Sequence, residues 1–162
     1  MIPKRPFDEV LSAHRATIWR VCRAVVGPVD ADDAWSDTFL AALEAYPRLP
    51  ADANVEAWLV TIAHRKAIDA LRRSSRQAIP LADIPARPAG EEACRRDLDL
   101  AFSLALLPEK QRCAVVYHYL AGLPYREVAA IIGGSAEAAR RAAADGIAAL
   151  RRTVGPSEGA ER

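Results

Sequence analysis

Apolar residues recur every three or four positions along most of this chain, and no stretch alternates apolar and polar residues long enough to predict a β-strand. Three long segments show this spacing in the first half, at about 7–25, 31–46 and 55–73. Gly27-Pro28 follows the first segment and Pro47 follows the second, as expected where helices end. The pattern predicts amphipathic helices and an all-α fold.

The composition changes between residues 77 and 91, where three prolines and few bulky apolar residues predict an extended linker. Helical spacing then resumes in four shorter segments, at about 92–106, 108–120, 124–132 and 136–152. We therefore expect two small helical domains, the first of three helices. Their predicted bounds are 1–76 and 92–154, joined by the linker 77–91 and followed by a disordered tail, 155–162.

Composition argues against several classes of protein. A chain of 162 residues accommodates one domain or two small ones, and charges interrupt every apolar window of the roughly 20 residues that a membrane span needs. No apolar signal segment follows the N-terminal charges, so we expect a cytoplasmic protein without membrane insertion. Cys22, Cys94 and Cys113 are odd in number and widely spaced, which predicts free thiols rather than disulfides or a zinc site.

The sequence offers little for catalysis. Its three histidines, His14, His64 and His118, lack metal-ligand spacing, and no glycine-rich phosphate loop, nucleophile elbow or HExxH motif occurs. His118 lies in an apolar run and is typical of a packed or half-exposed helical residue. We expect no enzyme activity, no metal and no cofactor.

Charge is distributed unevenly along the chain, although 22 basic residues nearly balance 21 acidic ones overall. Residues 1–55 hold six basic and eight acidic groups, whereas residues 56–76 hold five basic and two acidic groups. An acidic segment followed by a basic one predicts two different partners.

The third predicted helix carries most of that basic charge. Trp58 is followed by His64 and by a series of cations: Arg65, Lys66, Arg72, Arg73 and Arg76. Cationic side chains neutralise phosphates, and an aromatic ring can stack on an unpaired base, so nucleic-acid binding is one interpretation. The alternative places Trp58 in the core and explains the arginines by the negative end of the helix dipole.

Acidic residues cluster at the start of the second predicted helix. Asp30 is a candidate N-cap, and Asp32 and Asp33 lie in the first turn, where the helix dipole favours acids. Asp37 lies beyond that turn, so capping does not explain it. It favours an exposed face for a basic protein partner.

The segment 123–135 is a short amphipathic helix with a glycine turn, and a second amphipathic helix with Ser135 as its candidate N-cap follows it. This is the helix-turn-helix pattern, whose second helix can lie in the major groove of DNA. Helical spacing turns some of its side chains inward, at Ala139, Ala143, Ile147 and Leu150, and others outward, at Glu137, Arg140 and Arg141. The alternative is an ordinary helical hairpin with solvated arginines.

These segments together resemble the extracytoplasmic-function (ECF) group of bacterial sigma factors in the sigma-70 family. DADDAWSDTFL at 30–40 is similar to that family's region 2.2, and AWL at 57–59 with IAHRKAIDALRR at 62–73 is similar to regions 2.3 and 2.4. LPEKQR at 107–112 and the helix-turn-helix resemble region 4. The likeness covers about residues 7–76 and 93–152 and implies an alternative sigma factor, with core RNA polymerase and promoter DNA as partners. Many members of the group also bind an anti-sigma factor.

The resemblance also implies which residues contact each partner. The polymerase-binding residues would be Asp33, Ser36, Asp37 and Leu40. The −10 element would be bound by Asn54, Glu56, Trp58, His64, Arg65 and Lys66, with Arg72, Arg73 and Arg76 on phosphates. The −35 element would be bound by Ser135, Glu137, Arg140 and Arg141.

The predicted recognition helix departs from the family pattern. Ala142 and Asp145 stand where Arg is common, and Gly146 inside a helix costs about 1 kcal/mol relative to Ala. This departure favours an alternative to an active sigma factor, a sigma-like adaptor or decoy that binds polymerase or an anti-sigma partner without recognising promoters. A separate alternative is a helix-turn-helix repressor that binds DNA without polymerase.

Overall fold

The computed structural model describes residues 3–76 and 92–154, with side chains in the second range described from residue 99. Its α-helices are α1 Phe7–Val26, α2 Ala31–Ala45, α3 Val55–Arg76, α4 Glu92–Ala105, α5 Glu109–Val115, α6 Tyr125–Ile132 and α7 Ala136–Val154. A 3₁₀ turn, Tyr46–Arg48, follows α2, and a π-helical segment, Val116–Leu120, continues α5. The all-α prediction is confirmed. The predicted linker and tail lie outside the described residues.

The ends of two helices test the predicted caps. Ser135 Oγ accepts a hydrogen bond from Ala138 N at 3.1 Å, so Ser135 caps α7 as predicted. The prediction that the Asp30 side chain caps α2 is wrong, because that side chain makes no cap hydrogen bond. Its backbone has φ −96° and ψ −3°, whereas a capping residue is usually extended. Asp30 Oδ2 instead accepts a hydrogen bond from Ser74 Oγ at 3.0 Å and connects α2 to the end of α3.

Helices α1, α2 and α3 form an N-terminal lobe in which each helix contacts the other two. Its core contains apolar side chains from every helix: Ile18, Val21 and Val25 of α1, Ala34 and Phe39 of α2, and Leu59, Val60 and Ala63 of α3. Tyr46 joins the 3₁₀ turn to this core, with its ring 5.4 Å from that of Phe7 and 6.2 Å from that of Trp58. The lobe therefore fixes α3 against α1 and α2 along its length.

Helices α4 to α7 form a C-terminal lobe, in which α7 packs closely against α5. A Cβ atom on Gly146 would lie 2.7 Å from Val115 Cγ2 and 3.3 Å from the carbonyl oxygen of Gln111. Such distances are too short for an unstrained contact, so the missing side chain is what allows the two helices to approach. The sequence indicated only that Gly146 lowers the stability of the helix. The structure shows that its missing side chain permits the close packing of α7 on α5.

The two lobes pack against each other and share one apolar core. Arg112 connects them: its guanidinium donates hydrogen bonds to the carbonyl oxygens of Val25 at 2.8 Å, Ala105 at 3.1 Å and Leu107 at 3.0 Å. Val25 is in the last turn of α1, and Arg112 lies 87 residues later in α5. This hydrogen bond connects α5 to the end of α1.

Candidate nucleic-acid interface

A basic groove runs along the C-terminal half of α3. Its walls are Asp37 of α2 and five residues of α3: Lys66, Asp69, Arg72, Arg73 and Arg76. The three arginines are exposed to solvent. Four cations against two carboxylates give the groove a net positive charge, which favours the binding of phosphate groups. The arginines also lie near the negative end of the α3 dipole, which stabilises them there without a ligand.

The acidic residues of α2 are divided between two environments. Asp33, Ser36 and Leu40 are exposed on one open face, and 62% of Leu40 is accessible to solvent. Leu43, one turn further on, is 52% exposed and extends this face. Asp37 is half-buried and lines the basic groove instead. Sequence patterns placed Asp37 with the open face and missed Leu43, although Leu43 follows Leu40 at helical spacing.

The start of α3 holds three of the predicted −10 residues. Asn54 Oδ1 accepts a hydrogen bond from Ala57 N at 3.2 Å and so caps the helix. Glu56 is half-buried. Trp58 is also half-buried and packs against the core, so the structure combines the two interpretations of this ring: one part contacts the core and another part faces solvent.

His64 lies between the lobes. Its Nδ1 is 2.7 Å from the hydroxyl of Tyr117, and the two rings meet edge to face at 5.6 Å. Desolvation lowers the pKa of His64, an effect that Glu109 opposes and Arg65 reinforces. Burial raises the pKa of Tyr117 well above its usual value, so its hydroxyl stays protonated at hydrogen-bond distance from the His64 imidazole. Sequence patterns did not single out Tyr117, because 53 residues separate it from His64.

The outward residues of α7 lie where helical spacing predicted them. Glu137, Arg140 and Arg141 are exposed, whereas Ala139, Ala143 and Leu150 are buried and Ile147 is half-buried. Gly133 and Gly134, with φ of +90° and +88°, form the turn between α6 and α7. Both angles lie in the left-handed region, which favours glycine. The structure thus contains the predicted helix-turn-helix.

An aromatic cluster lies beside the N-terminal half of α7. The rings of His118 and Tyr125 stack at 3.9 Å with an angle of 14°, and the Arg140 guanidinium lies 5.3 Å from the centre of the Tyr125 ring. His118 Nδ1 is 2.8 Å from the carbonyl oxygen of Leu123. Desolvation and a hydrogen bond to Tyr119 raise the pKa of Tyr125. Sequence patterns missed Tyr125, whose spacing gave no sign of a contact with α7.

Two cysteines lie in the core. Cys22 and Cys113 are free and buried, as predicted. Burial raises the pKa of Cys22 to about 12 and that of Cys113 to about 11. Because the thiolate is the reactive form, both thiols are poor nucleophiles at neutral pH. The side chain of Cys94 lies outside the described residues.

Comparisons with known proteins agree with this architecture. The family model for sigma-70 region 2 matches residues 10–77, and the model for sigma-70 region 4 matches residues 98–150. The ECF RNA polymerase sigma factor SigD of Mycobacterium tuberculosis (strain ATCC 25618 / H37Rv) is 34% identical over 146 residues, covering 82% of this chain and 69% of SigD. This chain belongs to the ECF group of the sigma-70 family.

Other relatives of this ECF factor support the same assignment. The ECF RNA polymerase sigma factor SigC of Mycobacterium tuberculosis (strain CDC 1551 / Oshkosh) is 30% identical over 137 residues, covering 80% of this chain and 72% of SigC. A solved structure of CnrH in complex with the cytosolic domain of CnrY is 25% identical, with a TM-score of 0.70 over 91% of this chain and 86% of that one.

The fold also matches a more distant structure. The sigma factor RpoE of Bartonella quintana, crystallised with the anti-sigma factor NepR, has a TM-score of 0.77 at 19% identity, over 93% of this chain and 98% of that one. Among the helices in residues 3–76 and 92–154, none has both the length and the apolar character of a membrane span.

Membership of the family gives the function. The chain is an alternative sigma factor that binds core RNA polymerase and directs promoter recognition, strand opening and transcription initiation. Core polymerase and promoter DNA are therefore its partners. Sigma factors are regulatory proteins.

Proposed function

We propose that this factor binds polymerase through the open face of α2 and promoter DNA through α3 and α7. Asp33, Ser36 and Leu40 contact the clamp helices of the largest polymerase subunit, as their resemblance to region 2.2 implies. Asp37 joins that contact at its edge, where α2 meets the basic groove. The exposure of the first three residues and of Leu43 supports this role, because the face combines a carboxylate with apolar area.

The −10 element occupies the surface of α3. Bases extruded from the duplex meet the residues at the start and middle of the helix: Asn54, Glu56, Trp58, His64, Arg65 and Lys66. The strand's phosphates follow the groove to Arg72, Arg73 and Arg76. Unstacking a base costs a few kcal/mol, which contacts in such a pocket and charge neutralisation offset.

The −35 element is bound by the N-terminal end of α7, through Ser135, Glu137, Arg140 and Arg141. The exposure of the last three residues supports this assignment, because the N-terminal residues of a recognition helix are those that reach base edges. Their small number predicts a modest contribution to affinity.

The observation that carries the proposal is the position of the basic groove beside the open face of α2, with Asp37 at their junction. A pull-down with core polymerase tests it. Asp33→Lys is expected to weaken binding at least tenfold, whereas Asp8→Lys, which makes the same charge change on the exposed start of α1, is expected to leave binding unchanged. Equal binding of wild type and Asp33→Lys would remove α2 from the polymerase contact.

The sigma-like adaptor is not favoured, because both sigma regions match this chain. The sparse cations of α7 make its −35 contact the part to test, and the double variant Arg140→Ala with Arg141→Ala tests it. We expect holoenzyme containing it to bind a promoter fragment about tenfold less tightly, because each good base contact contributes about 1–3 kcal/mol. Unchanged binding would contradict the −35 contact of these two arginines. The repressor alternative leaves the match to sigma region 2 over residues 10–77 without an explanation.

An anti-sigma protein is a further proposed partner, because RpoE was solved bound to the anti-sigma factor NepR. CnrH was likewise solved in complex with another protein, the cytosolic domain of CnrY. We place the factor in the cytoplasm, where polymerase is, and assign it no catalytic activity. Affinity purification from cells without the inducing signal tests this: a co-purified protein that core polymerase displaces supports an anti-sigma partner.

A further inference from the structure

Tyr125 connects the recognition helix to the segment before it. On one side its ring stacks on His118 at 3.9 Å, and His118 is held by the carbonyl oxygen of Leu123 at 2.8 Å. The Arg140 guanidinium lies 5.3 Å from the same ring. A series of contacts therefore leads from a backbone carbonyl, through two rings, to a side chain that faces solvent on α7.

We propose that Tyr125 and His118 are positioning residues that hold Arg140 in the orientation in which it binds the −35 element. This proposal rests on the proposed role of α7. An arginine loses considerable rotamer freedom when it binds a base, and a flat ring under its guanidinium removes part of that freedom in advance. The arrangement suits α7, which exposes just two cations, Arg140 and Arg141, in its N-terminal half.

A double-mutant cycle on holoenzyme bound to a promoter fragment tests the role of Tyr125. Tyr125→Leu is expected to weaken binding two- to fivefold, the range for an exposed cation–π contact, and Tyr125→Phe to keep it. In the Arg140→Ala background, Tyr125→Leu is expected to have no further effect, because the residue that it positions is gone. Arg141→Ala with Tyr125→Leu is the matched pair and is expected to be additive.

The outcomes separate positioning from the proposed function. If Arg140→Ala weakens binding and Tyr125→Leu does not, or if their effects add, Tyr125 does not position Arg140. If the Tyr125→Phe variant binds the promoter fragment as weakly as Tyr125→Leu does, the aromatic ring is not the group that positions Arg140. If Arg140→Ala itself has no effect, the −35 contact fails, and the positioning role fails with it.

Discussion

The two helices proposed to bind DNA differ in how their charge is arranged. The groove along α3 brings Lys66 and three arginines together, against Asp37 and Asp69. The N-terminal half of α7 exposes Arg140 and Arg141 but also Glu137 and Asp145, so its net charge there is zero. The charge of the first helix favours binding to a phosphate backbone of any sequence, whereas the second helix offers only a small number of cations for the proposed contacts.

This difference predicts that the two lobes make different contributions to promoter binding. Phosphate contacts supply affinity that depends steeply on salt, whereas base contacts supply specificity. We therefore expect the N-terminal lobe to determine how tightly the holoenzyme holds an opened promoter. We expect the C-terminal lobe to contribute to promoter binding mainly by holding α7 in position. Close packing at Gly146 holds the helix, and the ring of Tyr125 orients Arg140.

The largest effect is expected from the arginines at the end of α3. Replacing Arg72, Arg73 and Arg76 together by Ala would remove the three proposed phosphate contacts. The plot of log affinity against log salt for holoenzyme on a promoter is expected to become shallower by about 2, and affinity at physiological salt to fall about 100-fold. Titration of a labelled promoter at several salt concentrations measures both quantities.

Three exposed arginines outside the groove give the control for this variant. Arg15, Arg20 and Arg48 are solvent-exposed in the N-terminal lobe. Their replacement by Ala removes the same charge and is expected to leave the salt slope unchanged. If both triple variants had the same slope, general attraction by the net charge would replace the groove as the source of affinity.

A smaller effect is expected at the packing contact of α7. Gly146→Ala places a methyl group against Val115, whose branched side chain has little freedom to move, and against the backbone of Gln111. The strain exceeds the gain in helix propensity, so the free energy of unfolding is expected to fall by about 1–2 kcal/mol. Denaturant titration followed by circular dichroism measures it.

The exposed position Ala144 gives the reverse test on the same helix. Ala144→Gly is expected to cost about 1 kcal/mol through helix propensity alone. A chain stabilised by Gly146→Ala would show that α5 and α7 do not need their close approach.

The pH dependence of stability is expected to report on the contact between the lobes, because His64 lies in that contact. Burial lowers the pKa of His64, which faces Tyr117, Glu109 and Arg65. The unfolded chain then binds a proton near pH 6.5 that the folded chain does not, so stability falls as the pH drops below about 6.5. Thermal unfolding at about pH 7.5 and 5.5 is expected to show this loss, and His64→Gln to reduce it. Equal losses in both proteins would assign the dependence to other groups.

Much of the fold could be predicted from the sequence because helical periodicity reports which face of each helix is buried. It gave the helices of both lobes, the glycine turn before α7 and the cap at Ser135. Periodicity does not report what each face packs against. It therefore indicated neither the contact of His64 with Tyr117 nor the role of Gly146, which depends on where α5 lies.

The candidate site shows the same limit. Exposed cations on α3 and α7 follow from sequence spacing alone, and the structure places them on the surface as expected. Asp37 was assigned to the open face of α2, but the packing angle of α2 on α3 turns it toward the groove. Asp30 was assigned to a cap, but the same packing brings it to Ser74. Both differences arise from the relative orientation of two helices, which no single helix encodes.

The smallest effect is expected from restoring charge to α7. Asp145 is exposed one turn after Arg141, and its carboxylate opposes the approach of phosphates. Asp145→Ala is expected to tighten promoter binding by holoenzyme two- to threefold, and Asp145→Arg to add a phosphate contact that steepens the salt slope by about 0.9. Asp8→Ala, at an exposed acid on α1, is the control for net charge. A gain confined to Asp145 would mean that α7 binds DNA weakly because of its charge rather than its position, whereas equal gains in both variants would mean that α7 lies away from the duplex.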